Sequence, residues 1–401
     1  MHSTSNSRVA LAFSGGLDTT VCVPLLEEEY DYDEVIGVTV DVGQPEAEFE
    51  EATETAEALG LEHHVIDAKD EFAELCFDAV QANASYQGYP LGTALARPVI
   101  ATAILEVAKE QDCQAVAHGC TGKGNDQLRF EAVWRQSDLE VIAPVRELGL
   151  TREWEVEFAQ ERDLPVEAGQ GGEWSIDQNL WSRSVEGGRL EDPAARPPEE
   201  IYQWTEDSGG STELTIGFEA GRPTSIDGCA FEPVSLIEHL NTIAGIHGVG
   251  RTDMMEDRVL GLKVRENYEH PAATVLLTAH GDLEGLVLTK EELRVKHHIE
   301  QEWAELVYQG LLLSPLATAL EAFIQTSQTR VTGSVTLELG GGSCRPVGRQ
   351  SPTALYSESM ASFDTAGVGA IEQADATGVA KYHGLQDRLA ASHSTDGTDP
   401  E

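Results

Sequence analysis

Ser14-Gly15-Gly16-Leu17-Asp18-Thr19-Thr20 follows a short apolar run, residues 9–13, and opens a stretch of helix formers ending in Glu27-Glu28-Glu29. The stretch from 21 to 26 is apolar and ends in the three glutamates, and the order reads as strand, glycine turn, helix. Glycines at 15 and 16 let the backbone approach a ligand without a Cβ in the way, and a positive φ is expected at Gly16. Free N–H groups at the helix start, with the hydroxyls of Ser14, Thr19 and Thr20, suit a pyrophosphate. The pattern GxxxxGK[ST] does not occur, so the loop is not of Walker type.

A second polar string, His118-Gly119-Cys120-Thr121-Gly122-Lys123-Gly124-Asn125-Asp126-Gln127-Leu128-Arg129-Phe130-Glu131, follows an apolar run at 114–117. Its glycines supply a flexible backbone, and its Asp beside an Arg suits the ammonium and carboxylate of an amino acid. His118 is tempting as a base but reads better as a structural histidine. Three further strings carry candidate contacts: residues 89–98 with Tyr89, residues 173–184 with Ser175 and Ser184, and residues 256–272 with Glu256 and Tyr268. Read singly, Tyr89 and Tyr268 suit a core or hinge role.

The elements that must position these strings can be read from their flanks. Strands are expected at 9–13, 35–42, 61–67, 114–119 and 141–145, and helices at 47–59, 72–84, 98–109 and 152–162. Strands alternating with helices predict βαβ units, a parallel sheet and a first domain over 8–170. Both glycine-rich loops then lie at the carboxyl ends of strands, where open parallel sheets bind ligands. Gly169-Gln170-Gly171-Gly172 marks the boundary. An α+β domain is expected over 171–360, with strands at 214–218, 273–277 and 330–339 and helices at 235–246 and 290–311. Val379, Tyr382, Leu385 and Leu389 fall on one face of an expected C-terminal helix within 361–390, suited to docking on another subunit. Residues 391–401 read as a disordered tail.

Composition narrows the function. The 401 residues carry 70 Asp and Glu against 26 Lys and Arg, a formal charge of −44. Such a surface repels phosphate backbones and argues against nucleic acid as a partner. It points instead to a salt-accumulating cytosol, where molar salt shortens the Debye length to about 3 Å. No apolar run is long enough for a membrane span, and no signal peptide is apparent, so a cytoplasmic setting is expected. The six cysteines form no CxxC and no zinc spacing, and read as reduced thiols.

Read together, the motifs are far more specific. SGGLDT at 14–19 resembles the PP-loop of the N-type ATP pyrophosphatases. HGCTGKGNDQLRFE at 118–131, WSIDQNLW at 174–181 and GRQSP at 348–352 add the order and spacing of the argininosuccinate synthase family, and the resemblance runs from about residue 9 to 386. That family joins citrulline to aspartate with ATP, through citrullyl-AMP, and releases AMP and pyrophosphate. The resemblance implies homotetramers with a C-terminal helix reaching into neighbouring subunits. It assigns Ala12, Phe13, Ser14, Gly15, Gly16, Leu17, Asp18, Thr19, Thr20, Val40 and Gly119 to ATP. It assigns Thr121, Asn125 and Asp126 to aspartate, and Tyr89, Asn125, Arg129, Ser175, Ser184, Glu256 and Tyr268 to citrulline.

Two positions depart from the family pattern. Ala94 stands where some members have a serine that contacts citrulline, and Cys120 where others have alanine, so Cys120 reads as packing. No protein nucleophile is required, and catalysis is expected to rest on positioning and charge stabilisation, with Asp18, Asp126 and Arg129 in positioning roles. Mg²⁺ on the phosphates is expected, with Asp18 a candidate outer ligand. The nearest alternative, a tRNA thiolase, needs a basic surface and catalytic cysteines, and the chain has neither.

Overall fold

The alternation of apolar strands and helices builds a five-stranded parallel sheet in the order β3-β2-β1-β4-β5. A computed structural model describes residues 6–166, 173–206, 208–361 and 372–395. The strands are β1 (Arg8–Ala12), β2 (Glu34–Asp41), β3 (Glu62–Asp67), β4 (Ala115–His118) and β5 (Glu140–Ile142). The chain runs outward from β1 through β2 to β3, then returns to the other side of β1 for β4 and β5. That reversal leaves a crevice between β1 and β4 at their carboxyl ends. Register pairs Ala12 with His118, so the two glycine-rich loops leave the sheet side by side.

Helices α1 (Leu17–Glu28), α2 (Glu46–Leu59), α3 (Lys69–Gln81), α4 (Gly92–Glu110), α5 (Asp126–Trp134), α6 (Pro144–Glu147) and α7 (Arg152–Glu161) connect and flank the strands. Two expectations need correcting. Helix α4 begins at Gly92, not at residue 98, and encloses Pro98. Proline reads as a first-turn signal, but here a local side-chain contact sets the start. The Tyr89 hydroxyl accepts the Thr93 N–H at 2.6 Å, after Leu91 turns the chain at φ +67°. The strand expected at 141–145 ends at Ile142, because Pro144 starts α6.

Beyond the parallel sheet, strands β6 (Ser175–Gln178), β7 (Arg183–Glu186), β8 (Thr212–Glu219), β9 (Arg222–Ile226) and β10 (Cys229–Ala230) lead to α8 (Pro233–Gly245). The hairpin β11 (Arg251–Asp257) and β12 (Lys263–Glu269) follows, then α9 (Pro271–Val287), α10 (Lys290–Tyr308), α11 (Pro315–Gln328) and the hairpin β13 (Gly333–Gly340) and β14 (Ser343–Gln350). Two antiparallel sheets result, β10-β9-β8-β13-β14 and β11-β12-β7-β6. Residues 273–277, expected as a strand, lie inside α9. Ala272, Ala273, Val275, Leu276, Ala279, Leu283 and Val287 are all fully buried, at helical spacing that a five-residue apolar window at 273–277 is too short to show. Pro271 at the first helical turn was the available signal.

Four helical elements meet around a buried polar cluster. The Lys296 ammonium reaches Glu284 at 2.9 Å, Glu300, and the Gln81 carbonyl at 2.8 Å. Asn83 donates to Glu284 at 2.7 Å and to Glu300 at 2.6 Å. Buried charges persist only when paired and hydrogen-bonded, and each of these carboxylates is held by a lysine and an amide.

Residues 1–353 form one compact unit and residues 354–401 a second. The second carries the short α12 (Glu358–Ala361), α13 (Ala376–Tyr382) and α14 (Leu385–Thr395). The apolar stripe expected on one helix is divided: Gly384, at φ +65°, separates Val379 and Tyr382 from Leu385 and Leu389, and all four are exposed. Helix α14 continues to Thr395, so 391–395 are helical where a disordered tail was expected. The expected boundary at 169–172 lies outside the described residues.

Candidate active site

A cleft of about 750 Å³ opens where the sheet order reverses. Ala12, Phe13, Ser14, Gly16, Leu17, Asp18 and Thr19 line one side, Val40 another, and Gly119 the edge from β4. No side chain caps the start of α1, so the N–H groups of its first turn are available to an anion. The loop is braced internally. Ser14 Oγ and Thr19 Oγ1 lie 3.2 Å apart, and Thr19 Oγ1 donates to the Gly16 carbonyl at 3.2 Å.

Gly15 and Thr20 support this loop from behind the cleft wall. Gly15 has φ +75°, and a Cβ there would lie 2.7 Å from the Ala52 Cα. Thr20 is buried and donates to the Gly15 carbonyl at 3.2 Å. The positive φ expected at Gly16 is not found. Its φ is −72°, and a Cβ there would meet only Ser14 Oγ, at 3.5 Å. Gly16 therefore matters for open space, and Gly15 for backbone conformation.

His118 is fully buried. Its Nδ1 accepts the Cys120 N–H at 3.2 Å, which places the ring proton on Nε2, 3.4 Å from a Glu131 oxygen. Hydrogen bonding from His118, then Arg135 and Arg146, pulls the Glu131 carboxyl down to about 2. One ring nitrogen is thus engaged by the loop backbone, and the other faces Glu131. Burial pushes the Cys120 thiol up to about 12, so it stays protonated and fits the packing role. Ala94 is fully buried in the core.

A second cavity of about 530 Å³ adjoins the first. One face of the sheet β11-β12-β7-β6 forms its wall. The register sets Asp177 opposite Ser184 and Ser184 opposite Tyr268. Strand alternation then puts Ser175, Glu186 and Glu266 on that same face, and all six line the cavity with Glu256. The opposite wall is the 118–131 loop and α5, with Thr121, Asn125, Asp126 and Arg129. Tyr89 stacks on Tyr268, ring centroids 4.3 Å apart. The Tyr268 hydroxyl donates to Glu256 at 2.6 Å.

Charges at this site form an ordered chain. Asp126 accepts from Arg129 Nη1 at 3.0 Å and from Arg97 Nε at 2.9 Å. Arg97 Nη2 donates to Asp177 at 2.8 Å, and the Thr93 hydroxyl donates to the same oxygen at 2.9 Å. The two guanidinium groups, Arg97 first, hold the Asp126 carboxyl below its ordinary range against the opposing effect of burial. Arg129 Nε and Nη2 donate to the Tyr308 carbonyl at 3.2 and 3.1 Å. With Nη1 on Asp126, two of the five guanidinium N–H groups remain for a ligand. A bidentate grip through Nε and Nη2 is closed; the Nη1–Nη2 end is open.

The cavities thus gather almost every residue that the sequence singled out. They also include residues that it did not. Arg97 and Asp177 lay inside quoted strings without an assigned role; for Arg97 the signal was a charge set among apolar neighbours. Tyr308, in the last turn of α10, carried none.

This geometry has relatives. Residues 8–165 match the family described as "Arginosuccinate synthase N-terminal HUP domain", and residues 174–390 match "Arginosuccinate synthase C-terminal domain". The chain belongs to the argininosuccinate synthase family. Its members ligate citrulline and aspartate in an AMP-forming reaction of arginine biosynthesis, with ATP as a substrate. The argininosuccinate synthase of Natronomonas pharaonis is 71% identical over 397 residues, 98% of this chain and 99% of that protein. That of Haloquadratum walsbyi is 67% identical over 97% of this chain and 99% of its own length. Both organisms are halophilic archaea, as the charge of −44 leads one to expect. Among solved structures, a U34-tRNA thiolase from Methanococcus maripaludis is 17% identical over 41% of this chain and 58% of its own, with a TM-score of 0.28. Among the described residues no helix is long and apolar enough to cross a membrane.

Proposed function

We propose that the two adjoining cavities divide the argininosuccinate synthase reaction between them, nucleotide in the first and both amino acids in the second. The observation that carries this reading is their shared wall: Ser14, Asp18, Arg97, Cys120, Asp126, Ser175 and Ile176 line both. A reaction between ATP and citrulline needs the α-phosphorus within reach of the ureido oxygen, and only a seam between two sites provides that.

The ureido oxygen attacks the α-phosphorus and pyrophosphate leaves. The pyrophosphate rests on the first turn of α1, cradled by Ser14, Gly16 and Thr19. The adenylated ureido carbon then has a good leaving group. The aspartate amine attacks it, the amine loses its proton, and AMP departs. Thr121, Asn125 and Asp126 hold aspartate. The stacked pair Tyr89–Tyr268 walls the aliphatic chain of citrulline, with Ser175 and Ser184 beside it. Arg129 offers its remaining N–H groups to a citrulline carboxylate, and Glu256 a negative charge to its ammonium. Catalysis is positioning and charge stabilisation, with no covalent enzyme intermediate.

Among the described residues no group of three metal-ligating side chains gathers, which suits a Mg²⁺ held chiefly by phosphate oxygens and water. Asp18 lines both cavities and is the carboxylate that would help hold a phosphate-bound Mg²⁺; the ion would supply positive charge beside the pyrophosphate. The exposed stripe on α13 and α14 supports a homotetramer assembled through the C-terminal unit, in the cytoplasm.

The test omits each substrate in turn. Exchange of labelled pyrophosphate into ATP should require citrulline and not aspartate, and AMP release should require both. Exchange without citrulline, or with aspartate alone, refutes the order.

A further inference from the structure

Among the described residues seven line both cavities, and of these Arg97 is the only cation. Arg152 lines only the nucleotide cleft, and Lys123, Arg129 and Arg258 line only the amino-acid cavity. The seam is where new negative charge arises. When an oxygen adds to the α-phosphorus, its non-bridging oxygens gain charge before the pyrophosphate bond breaks.

Arg97 is built to face that point rather than to fill space. It stands in the second turn of α4, with its side chain 18% exposed. Two carboxylates from different elements fix its planar fork: Asp126 at the start of α5 takes Nε, and Asp177 on β6 takes Nη2. Two of the five N–H groups are thereby used. Three remain, both of Nη1 among them. A guanidinium clamped at one edge and free at the other is pre-organised for an oxyanion, and loses little freedom on meeting it. Lysine at this position could satisfy one carboxylate but could not hold an orientation against both.

We infer that Arg97 is a catalytic residue, its free guanidinium edge contacting the non-bridging oxygens of the α-phosphoryl group during citrulline adenylation and again as AMP departs. This rests on the proposed placement of ATP and citrulline in the two cavities. The balance of the step is unchanged by it. The ureido oxygen forms the new P–O bond, the α–β bridging oxygen takes the electron pair with pyrophosphate, and Arg97 keeps its proton throughout.

Citrulline-dependent ATP–pyrophosphate exchange tests this, measured on the full chain in molar salt for the wild type, Arg97→Gln and Arg97→Lys. The two α-thio diastereomers of ATP serve as alternative substrates. Removing an oxyanion donor lowers kcat by roughly 10²–10³-fold. We expect that loss in Arg97→Gln, with KM for ATP and citrulline changed by less than about threefold. The preference of the wild type between the diastereomers should collapse in both variants. A strut that only joins Asp126 to Asp177 predicts otherwise: raised KM values and an unaltered diastereomer preference, and that result overturns the inference. Arg97→Lys keeps a positive charge between the carboxylates, so it serves where Arg97→Gln fails to fold. If it keeps the wild-type diastereomer preference, the inference is likewise overturned. Failure of the wild type to exchange at all would strike the proposed function instead, and so the two failures are distinguishable.

Discussion

The side-chain amide of Asn125 donates to the Tyr308 hydroxyl at 2.9 Å, across 183 positions of sequence. Tyr308 passes its own hydroxyl hydrogen to Glu256, and Asn125 Oδ1 accepts the Val259 N–H at 3.1 Å. A residue of the glycine-rich loop is thereby locked to α10 and to the tip of the β11–β12 hairpin. Its amide is oriented by protein partners before any substrate arrives.

Tyr308→Phe should therefore loosen the amino-acid cavity without opening the nucleotide cleft. It leaves the buried Asn125 amide and one Glu256 oxygen short of a partner, a cost of about 1–3 kcal/mol. We expect a lower Tm and a citrulline KM raised roughly tenfold, with the ATP KM unchanged. Steady-state kinetics beside thermal melting checks this; an unchanged citrulline KM would show that the bridge is not needed.

The two loop glycines should fail differently. Gly15→Ala places a Cβ against the Ala52 backbone at a positive φ, and αL strain alone costs roughly 1–2 kcal/mol. It should lower Tm. Gly16→Val meets no backbone and sits at an ordinary φ, so the fold should survive while ATP binding is lost. Calorimetry with ATP, read beside circular dichroism, separates the cases. ATP affinity retained by Gly16→Val would remove that position from the cradle.

Much of this was legible in the sequence, for physical reasons. The parallel sheet announced itself because most of its strands are short apolar runs closed by a turn, and most of its helices are long enough to show their composition. Local motifs betrayed the loops at 14–20 and 118–131, because a backbone that must meet a ligand needs glycines at fixed offsets. The antiparallel sheets were harder. Strands β6 and β7 are four residues each, too short for alternation to speak. The start of helix α9 reads as a strand because its first apolar run is short, and the first turn of α4 is missed because Pro98 lies in its interior. Arg97 and Tyr308 could not be assigned at all, since their partners Asp177 and Asn125 are distant in sequence and only tertiary structure joins them.

Glu266 makes the amino-acid cavity sensitive to alkali. Burial first, then the nearby Glu186 and Glu256, push its carboxyl up to about 9 from an ordinary 4.5. The folded chain thus holds a proton there that the unfolded chain releases. Its contribution to stability is complete below about pH 4.5, falls as pH rises, and is lost through about pH 9. Glu266→Gln preserves the shape and carries no titrating proton, so its Tm should decline less than that of the wild type between about pH 6 and pH 10. Parallel Tm curves would refute the assignment.

Salt dependence should be strong. Glu46, Glu48, Glu50, Glu51, Glu54 and Glu57 stand on α2 without one basic residue in that helix, and Glu48 and Glu51 line the nucleotide cleft. In dilute buffer their repulsion is unscreened, and ATP would approach a negative wall. We expect Tm and ATP affinity to rise together from about 0.1 M to molar KCl. Full activity at the lower concentration would contradict this.

Breaking the cluster around Lys296 tests a buried charge network rather than the acidic surface. Lys296→Met leaves Glu284 and Glu300 buried without their cation, a loss of roughly 3–5 kcal/mol. Chemical denaturation in molar salt should report it, and a midpoint equal to that of the wild type would show the pairing to be dispensable.

That cluster also sets how the molecule behaves on leaving brine. Lys296, Glu284 and Glu300 lie beyond the reach of dissolved ions, so their attraction is nearly the same in fresh water as in saturated brine. The acidic rind depends on its surroundings; this knot between α3, α9, α10 and α11 carries its counterions within the chain. Desalting should therefore peel the protein from the α2 side and leave the helical crossing as the last part standing, a ballast from which the fold can be rebuilt when salt returns.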